Sequence, residues 1–453
     1  MKSCLLWLLM AGGLFACDSP HRTVVDVLGD RDVPTDEAEC PDSADVVDVV
    51  DVWDSSDVPD ATGLPTDPDE HLIVCDRKLV AVSFPWVYYS LRKRVEADGY
   101  TIPFEAPFRF HLETRTEEIL PELDKISSGG TTYINASTKR MYTPVRSLRY
   151  QNDPLVDGEY GPWILSVTDV VTGVSTEWAP GFELLSEDCQ NYDLFSGVGR
   201  AVMGVWKMAD DESCAVFACW YGPMDIYKMD LRTGEKTHLL RGSEQPAQFG
   251  GTTGWHFQDP GGDFISFTLG YWSTTLADEL RVWNWRTGEL VWSFSDPALA
   301  GILSTPAEDG WVYYTMREPR NGDWYLRIAG YNVLTGETGS PPVVMENNLA
   351  ATPAIQGRPE YIFFMAGDGP ITSAEPRLPT GEKHYYLWNR ETDIVRRITR
   401  IPISYGNGVL TLGQDPPQTA IYQIASGTYP CYFSKNLIDA GIMDPLGNLL
   451  PEP

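Results

Sequence analysis

The sequence predicts an all-β fold, a β-propeller built of four-stranded antiparallel blades, and three observations predict it. A turn formula of the type Asp/Asn-x-x-Thr-Gly recurs along the chain: DVVTG at Asp169 to Gly173, DLRTG at Asp230 to Gly234, NWRTG at Asn284 to Gly288, NVLTG at Asn332 to Gly336, with looser copies at His111 to Arg115 and Asn389 to Asp393. Its threonines, Thr114, Thr172, Thr233, Thr287, Thr335 and Thr392, lie 48 to 61 residues apart, a self-similarity that marks a repeat architecture. Short strand-like runs fill the spaces between, and no long segment from Asp76 to Lys435 keeps the 3.6-residue period of a helix.

Taken in order, the chain opens with Lys2 and an apolar run from Leu5 to Phe15, too short to cross a bilayer and fitting the core of a secretory signal over residues 1–16. Its end, Leu14-Phe15-Ala16-Cys17, resembles the lipobox of bacterial lipoproteins. That resemblance implies cleavage before Cys17 and acylation of that cysteine; the alternative is an ordinary signal peptide cut after Ala16. Two or more acyl chains on Cys17 make a stable anchor where one chain is marginal.

Residues 17–70 form the next unit. From Asp18 to Glu70 there are 17 acidic residues against Arg22 and Arg31, about half of the formal charge of −30, and Asp42 to Asp60 places an aspartate at every third position. Such a stretch cannot bury a core and predicts a disordered acidic tether with a reach of roughly 40 Å. The glycine and terminal glutamate of a calcium loop are missing.

The propeller itself is expected over residues 71–437, followed by a Pro- and Gly-containing tail at 438–453. Strand signals include KLVAVSF (Lys78 to Phe84), WILSVTDV (Trp163 to Val170), CAVFACWY (Cys214 to Tyr221), WVYYTM (Trp311 to Met316) and EYIFFMAG (Glu360 to Gly367). In ELRVWNWRTGELVWSF, from Glu279 to Phe294, Leu280 and Val282 point one way while Trp283 and Trp285 point the other, so this strand has two dry faces and belongs between packed sheets. Six turns, each joining the third strand of a blade to the fourth, plus the incomplete unit after Ile401, give seven blades, with six or eight as the neighbouring solutions. A strand within Leu72 to Ser83 would complete the sheet of Val409 to Ile424 and close the ring, which removes open sheet edges.

IYKMDLRTGEKTHLL (Ile226 to Leu240) resembles the propeller repeats of TolB-type periplasmic proteins, and LRVWNWRTGELVWSF resembles a PQQ-like propeller repeat. The adjacent cysteines of quinoprotein dehydrogenases are not present, since Cys214 and Cys219 are five apart, so no cofactor is implied. The six histidines are dispersed, without metal-ligand spacing, and no Gly-x-Ser-x-Gly elbow or phosphate loop occurs, so no catalytic residue is singled out. An acidic chain of pI near 4.4 disfavours nucleic acid.

Export to an oxidising compartment makes disulfides an expectation. If the ring closes as argued, Cys75 and Cys431 sit at its two chain ends and form a clamp across the closure. Binding is expected on one face of the ring, in the polar loops Gln151 to Tyr160, Glu318 to Asp323 and Gly367 to Glu382. The expected role is a lipoprotein of the bacterial cell envelope, tethered to a membrane, whose propeller is a protein- or glycan-binding scaffold. The alternative is an envelope enzyme acting on glycans, with its site in the central funnel.

Overall fold

The computed structural model describes residues 68–75, 78–97, 100–120, 125–127, 132–135, 138–147, 163–178, 184, 201–220, 225–241, 249–252, 262–271, 279–302, 309–349, 360–371, 380–403, 408–411, 418–423 and 431–452. They form seven antiparallel sheets arranged as a propeller, with no helix among the described residues. Blade 1 comprises Lys78–Ser83, Trp86–Ala97, Tyr100–His111 and Thr116–Ile119. In blade 2 the inner strand is split into Lys125–Ser127 and Tyr133–Asn135, which pair with opposite ends of Arg140–Ser147; Trp163–Asp169 and Ser175–Trp178 follow. Blades 3 to 6 begin with Ala201–Met208, Phe249–Thr252, Leu299–Ile302 and Asn347–Leu349, and each runs outward in chain order.

The seventh blade is made from both ends of the domain. Gly408–Thr411, Thr419–Gln423 and Cys431–Asn436 supply three strands, and Glu70–Cys75 pairs with the last of them as the outer fourth. The stretch expected to close the ring is thus divided: Glu70–Cys75 joins blade 7, whereas Lys78–Ser83 starts blade 1.

Each of the six recurrent turns, four of them Thr-Gly, joins third strand to fourth. At Asp230 the carboxylate accepts the amides of Arg232 and Thr233, the Gly234 amide donates to the Asp230 carbonyl, and the Thr233 hydroxyl accepts the amide of Glu235. Asp169, Asn284 and Asn332 repeat this pattern. The glycine is needed because its φ is near +76° at Gly234 and similar at its counterparts; Arg115 and Asp393 hold the same place with φ of 58° and 57°. A related turn ends the third strand of blade 7: Asn436 accepts the amides of Ile438 and Asp439 and its carbonyl accepts the Ala440 amide, but the positive φ falls one place later, 67° at Gly441. The chain after it does not build a fourth strand, because Glu70–Cys75 fills that place.

The double-faced strand explains how blades pack. Leu280 and Val282 join Leu299, Val312 and Tyr314 of blade 5, while Trp283 and Trp285 join Val216, Ala218 and Ile226 of blade 3. Equivalent apolar clusters link blades 1 and 2, 2 and 3, 5 to 7, and 7 to 1, the last through Ile73, Ile421 and Tyr432 against Val87, Tyr89, Phe108 and Phe110. Residues after the last strand also pack inward, with Ile442, Met443 and Leu449 buried and the Tyr361 hydroxyl donating to the Gly447 carbonyl.

Candidate binding face

Antiparallel order within each blade fixes which connections share a face of the ring. First-to-second and third-to-fourth connections lie on one face, and second-to-third connections lie on the other with the crossings between blades. All the Thr-Gly turns therefore share one face. The entering strand Glu70–Cys75 runs antiparallel to Cys431–Asn436, so the chain also arrives from that turn face. The three loops singled out in the sequence are all second-to-third connections, of blades 2, 5 and 6, so the strands that flank them end together on the opposite face. Gln151 to Tyr160 itself lies outside the described residues, as do Cys17 and the acidic tract before Pro68.

Glu318 to Asp323 is not the open loop expected. Trp311–Arg320 and Asp323–Asn332 pair along their whole length and are closed by Asn321-Gly322, with φ of 52° and 93°. Two successive positive φ values make the tight primed turn that suits Asn-Gly and continues the strand twist, a signal the sequence already held. The fourth strand here is only Thr338–Gly339, because continued pairing would require Pro341 and Pro342, which have no amide hydrogen to donate. The apex therefore stands clear of its own sheet as a two-stranded hairpin.

Its flanks are tied down. The backbone amide of Ile371, in the blade 6 connection, donates to the Trp324 carbonyl, and Arg317 donates through Nη2 to the Pro297 carbonyl and through its backbone amide to the Ala298 carbonyl. Trp324 remains 44 % exposed, with the Arg317 guanidinium 5.2 Å from its ring centroid. On the other side of the hairpin Arg320 lies 5.6 Å from the Tyr325 ring and pairs at 2.9 Å with Glu318, which also lies 3.5 Å from Arg327 Nε. Arg317 Nε and Arg327 Nη2 are buried donors without an acceptor, and burial pulls both guanidinium pKa values down. Burial first, and then Glu346, pushes the Tyr325 hydroxyl up.

Blade 1 sends out a second, longer hairpin on this face. Its central strands pair from Trp86↔His111 to Ala97↔Tyr100, but the inner strand stops at Ser90 and the outer one at Phe108. The remaining seven pairs, from Leu91↔Ala106 onward, overhang the sheet by roughly 20 Å at the usual rise per residue.

Elsewhere the titratable side chains serve the scaffold. His238 Nδ1 lies 2.9 Å from Asp225, and His384 contacts Thr399 and is pushed down in pKa by burial. No group of three or more His, Cys, Asp or Glu suited to a metal occurs among the described residues. Cys75 and Cys431 are register partners with Cα atoms 4.0 Å apart and are joined by a disulfide; Cys214 is a free thiol. No helix among the described residues is long and apolar enough to cross a membrane.

No family model matches the chain, and no curated protein matches it either. Solved structures do match. The β-propeller domain of the Trilobed protease from Pyrococcus furiosus is similar at 10 % identity and a TM-score of 0.44, over 80 % of this chain and 95 % of that one. The Pyrococcus horikoshii acylaminoacyl peptidase is similar at 11 % identity and 0.47, over 80 % of this chain but only 51 % of the peptidase. TolB from Acinetobacter baumannii is similar at 13 % identity and 0.32, over 78 % of this chain and 80 % of TolB.

Proposed function

We propose that this protein is a lipid-anchored scaffold of the bacterial cell envelope that holds a partner, protein or glycan, on the hairpin face of its propeller. One observation carries the reading: the hairpins of blades 1 and 5 overhang their sheets on the face opposite to the one from which the N-terminal strand enters blade 7, so a tether joined at Glu70 leaves that face clear for a partner. The acidic tract before Glu70 supplies the spacing, and tethering raises the local concentration at which a modest interface becomes effective. Rigid hairpins bind at smaller entropic cost than long mobile loops.

The test uses the full chain in intact cells, with a photoreactive residue placed at Asp323 on the hairpin face or at Thr287 on the turn face. A discrete adduct is expected from Asp323 and not from Thr287, and it should vanish in Cys17→Ser, which should also lose labelled palmitate and leave the membrane fraction. Adducts from Thr287 alone, or no acyl label on the wild type, would sink the reading.

A further inference from the structure

The blade 1 hairpin outruns both of its neighbours in the sheet. Trp86–Ala97 and Tyr100–His111 stay paired as far as Ala97↔Tyr100, while Lys78–Ser83 pairs no further than Ser90 and Thr116–Ile119 no further than Phe108. No other strand among the described residues pairs with the overhanging ribbon. It therefore presents two sheet edges, a feature that proteins otherwise cover or block.

The two edges are not alike. Antiparallel pairs alternate between those that exchange both backbone hydrogen bonds and those whose N–H and C=O groups point away from the partner strand. Pro103 and Pro107 have no amide hydrogen and fit the second kind without losing a ladder bond, so their partners Arg94 and Ser90 belong to it, and by alternation so do Arg92↔Glu105 and Glu96↔Thr101. The outer edge thus has proline at two of its four outward positions and is blocked. On the inner edge Arg92, Arg94 and Glu96 each turn an amide and a carbonyl outward. The blade 5 hairpin lacks such an edge, since the Arg317 amide donates to the Ala298 carbonyl and Trp324 bridges to Ile371.

Charge and alternation narrow the occupant. Residues 91–97 carry Arg92, Lys93 and Arg94 against Glu96 alone, in a chain of formal charge −30. Register sets Arg92 opposite Glu105 but Arg94 opposite Pro103, so the ribbon offers Arg94 no charged partner directly across. Leu91, Lys93 and Val95 share one face with Ala106, Phe104 and Ile102, whereas Arg92 and Arg94 share the other with Glu105 and Pro103. A strand laid along the inner edge would have a mostly apolar row beside one of its faces and arginines beside the other. The segment that matches alternates apolar and acidic residues.

We infer that the inner edge of the blade 1 hairpin, at Arg92, Arg94 and Glu96, captures an extended segment of a partner protein by strand addition, and that this segment alternates apolar and acidic residues. The inference rests on the scaffold reading and names the class of partner held. Main-chain hydrogen bonds supply affinity, and alternate side chains supply selection.

The probe is a short fluorescein-labelled peptide of alternating valine and glutamate, titrated with the full-length Cys17→Ser chain and read by fluorescence anisotropy. Binding is expected, weakening about threefold or more from low to high salt, and a valine–lysine peptide should not bind. Arg94→Glu should weaken it about tenfold or more. Glu96→Pro separates backbone pairing from charge: it removes a negative charge, which favours an acidic peptide, yet it also removes an edge amide and should weaken binding about tenfold. Hydrogen exchange of the Val95 and Ile102 amides, which pair within the ribbon, verifies that each variant keeps the hairpin. On the unaltered edge, a valine–glutamate peptide N-methylated at alternate residues should not bind. No binding of the parent peptide, equal binding of the valine–lysine peptide, or binding that N-methylation leaves intact would each overturn strand addition. The same titration is run on a chain with Asp45, Asp48, Asp51, Asp54 and Asp57 changed to asparagine. Binding seen only there would overturn the foreign partner in favour of the chain's own acidic tract. An acyl label on Cys17 and a discrete adduct from Asp323, obtained with no peptide bound by either chain, would overturn the edge site and leave the scaffold reading standing.

Discussion

At the scale of single residues the recurrent turn is a small machine whose parts can be removed separately. Gly173 and Gly288 hold equivalent places with φ of 75° and 78°, but their surroundings differ. A Cβ on Gly288 would meet nothing closer than Leu239 at 3.6 Å, whereas on Gly173 it would fall 2.7 Å from Leu120 and 3.3 Å from the Arg109 guanidinium. Gly288→Ala should therefore cost about 1 to 2 kcal/mol, the price of a left-handed alanine alone. Gly173→Ala should cost clearly more in the same chemical denaturation, because it also pushes Arg109 off the Val170 and Val171 carbonyls. The acidic turns respond to pH as well. The backbone amide of Thr172 holds the Asp169 carboxyl below the ordinary range, and those of Thr233 and Arg232 do the same for Asp230. A carboxyl depressed on folding stabilises fully above its unfolded value, and that contribution is lost as pH falls from there through the folded value. Asn284, Asn332 and Asn389 make the same bonds and do not titrate. Hydrogen exchange between about pH 4 and pH 2 should thus loosen the turn amides of blades 2 and 3 before those of blades 4 to 6, and equal loosening in all blades would refute this account.

At the scale of elements the closing strand combines the strongest local interactions with the least obvious sequence. Glu70 and Lys435 face each other at 3.7 Å with side chains 0 % and 1 % exposed, and the Tyr422 hydroxyl donates to Glu70 at 2.7 Å. Removing one member of a buried pair strands the other, so Glu70→Ala should destabilise the domain by about 3 to 5 kcal/mol, with a smaller loss for Glu70→Gln. A loss below about 1 kcal/mol in urea titration would mean that the pair contributes as little as an exposed one. How legible these elements were follows from how local their causes are. The third-to-fourth turns were readable because Asx, Thr and Gly act within six residues, and the two dry faces of Glu279–Asn284 were readable from alternation alone. Asn436 to Gly441 was missed as a related turn because threonine is replaced, no strand follows, and the glycine stands five places after the asparagine where the other turns have four. The blade 5 hairpin was read as a loop because charged residues masked the Asn-Gly turn. The contacts of Trp324 could not be read at all, since Arg317 reaches its ring from the paired strand and the Ile371 amide reaches its carbonyl from the next blade.

At the scale of the whole molecule, a ring is only as strong as the blade where it is sewn shut. Every other blade is continuous in the chain, but blade 7 opens if Glu70–Cys75 peels from Cys431–Asn436, and peeling would expose two sheet edges and the apolar face of blade 1. The acidic tract leads directly into this strand, so any pull from an anchored N-terminus arrives at Glu70 first. The near end is held by the Glu70–Lys435–Tyr422 contacts, and the far end by Cys75–Cys431, two residues before blade 1 starts. A pull must break the first before it loads the second, and the second stops it from reaching the rest of the ring. Because the bridge spans 356 residues, its loss should release a large unfolded-state entropy, about 6 kcal/mol in the chain-entropy description. The expected outcome for the double change Cys75→Ser with Cys431→Ser is a lower melting temperature, still in one transition, together with protease sensitivity that begins at the N-terminal strand. Unchanged melting, with both cysteines recovered as free thiols from the non-reduced wild type, would show that the strand pairing and the buried pair close the ring without a covalent clamp.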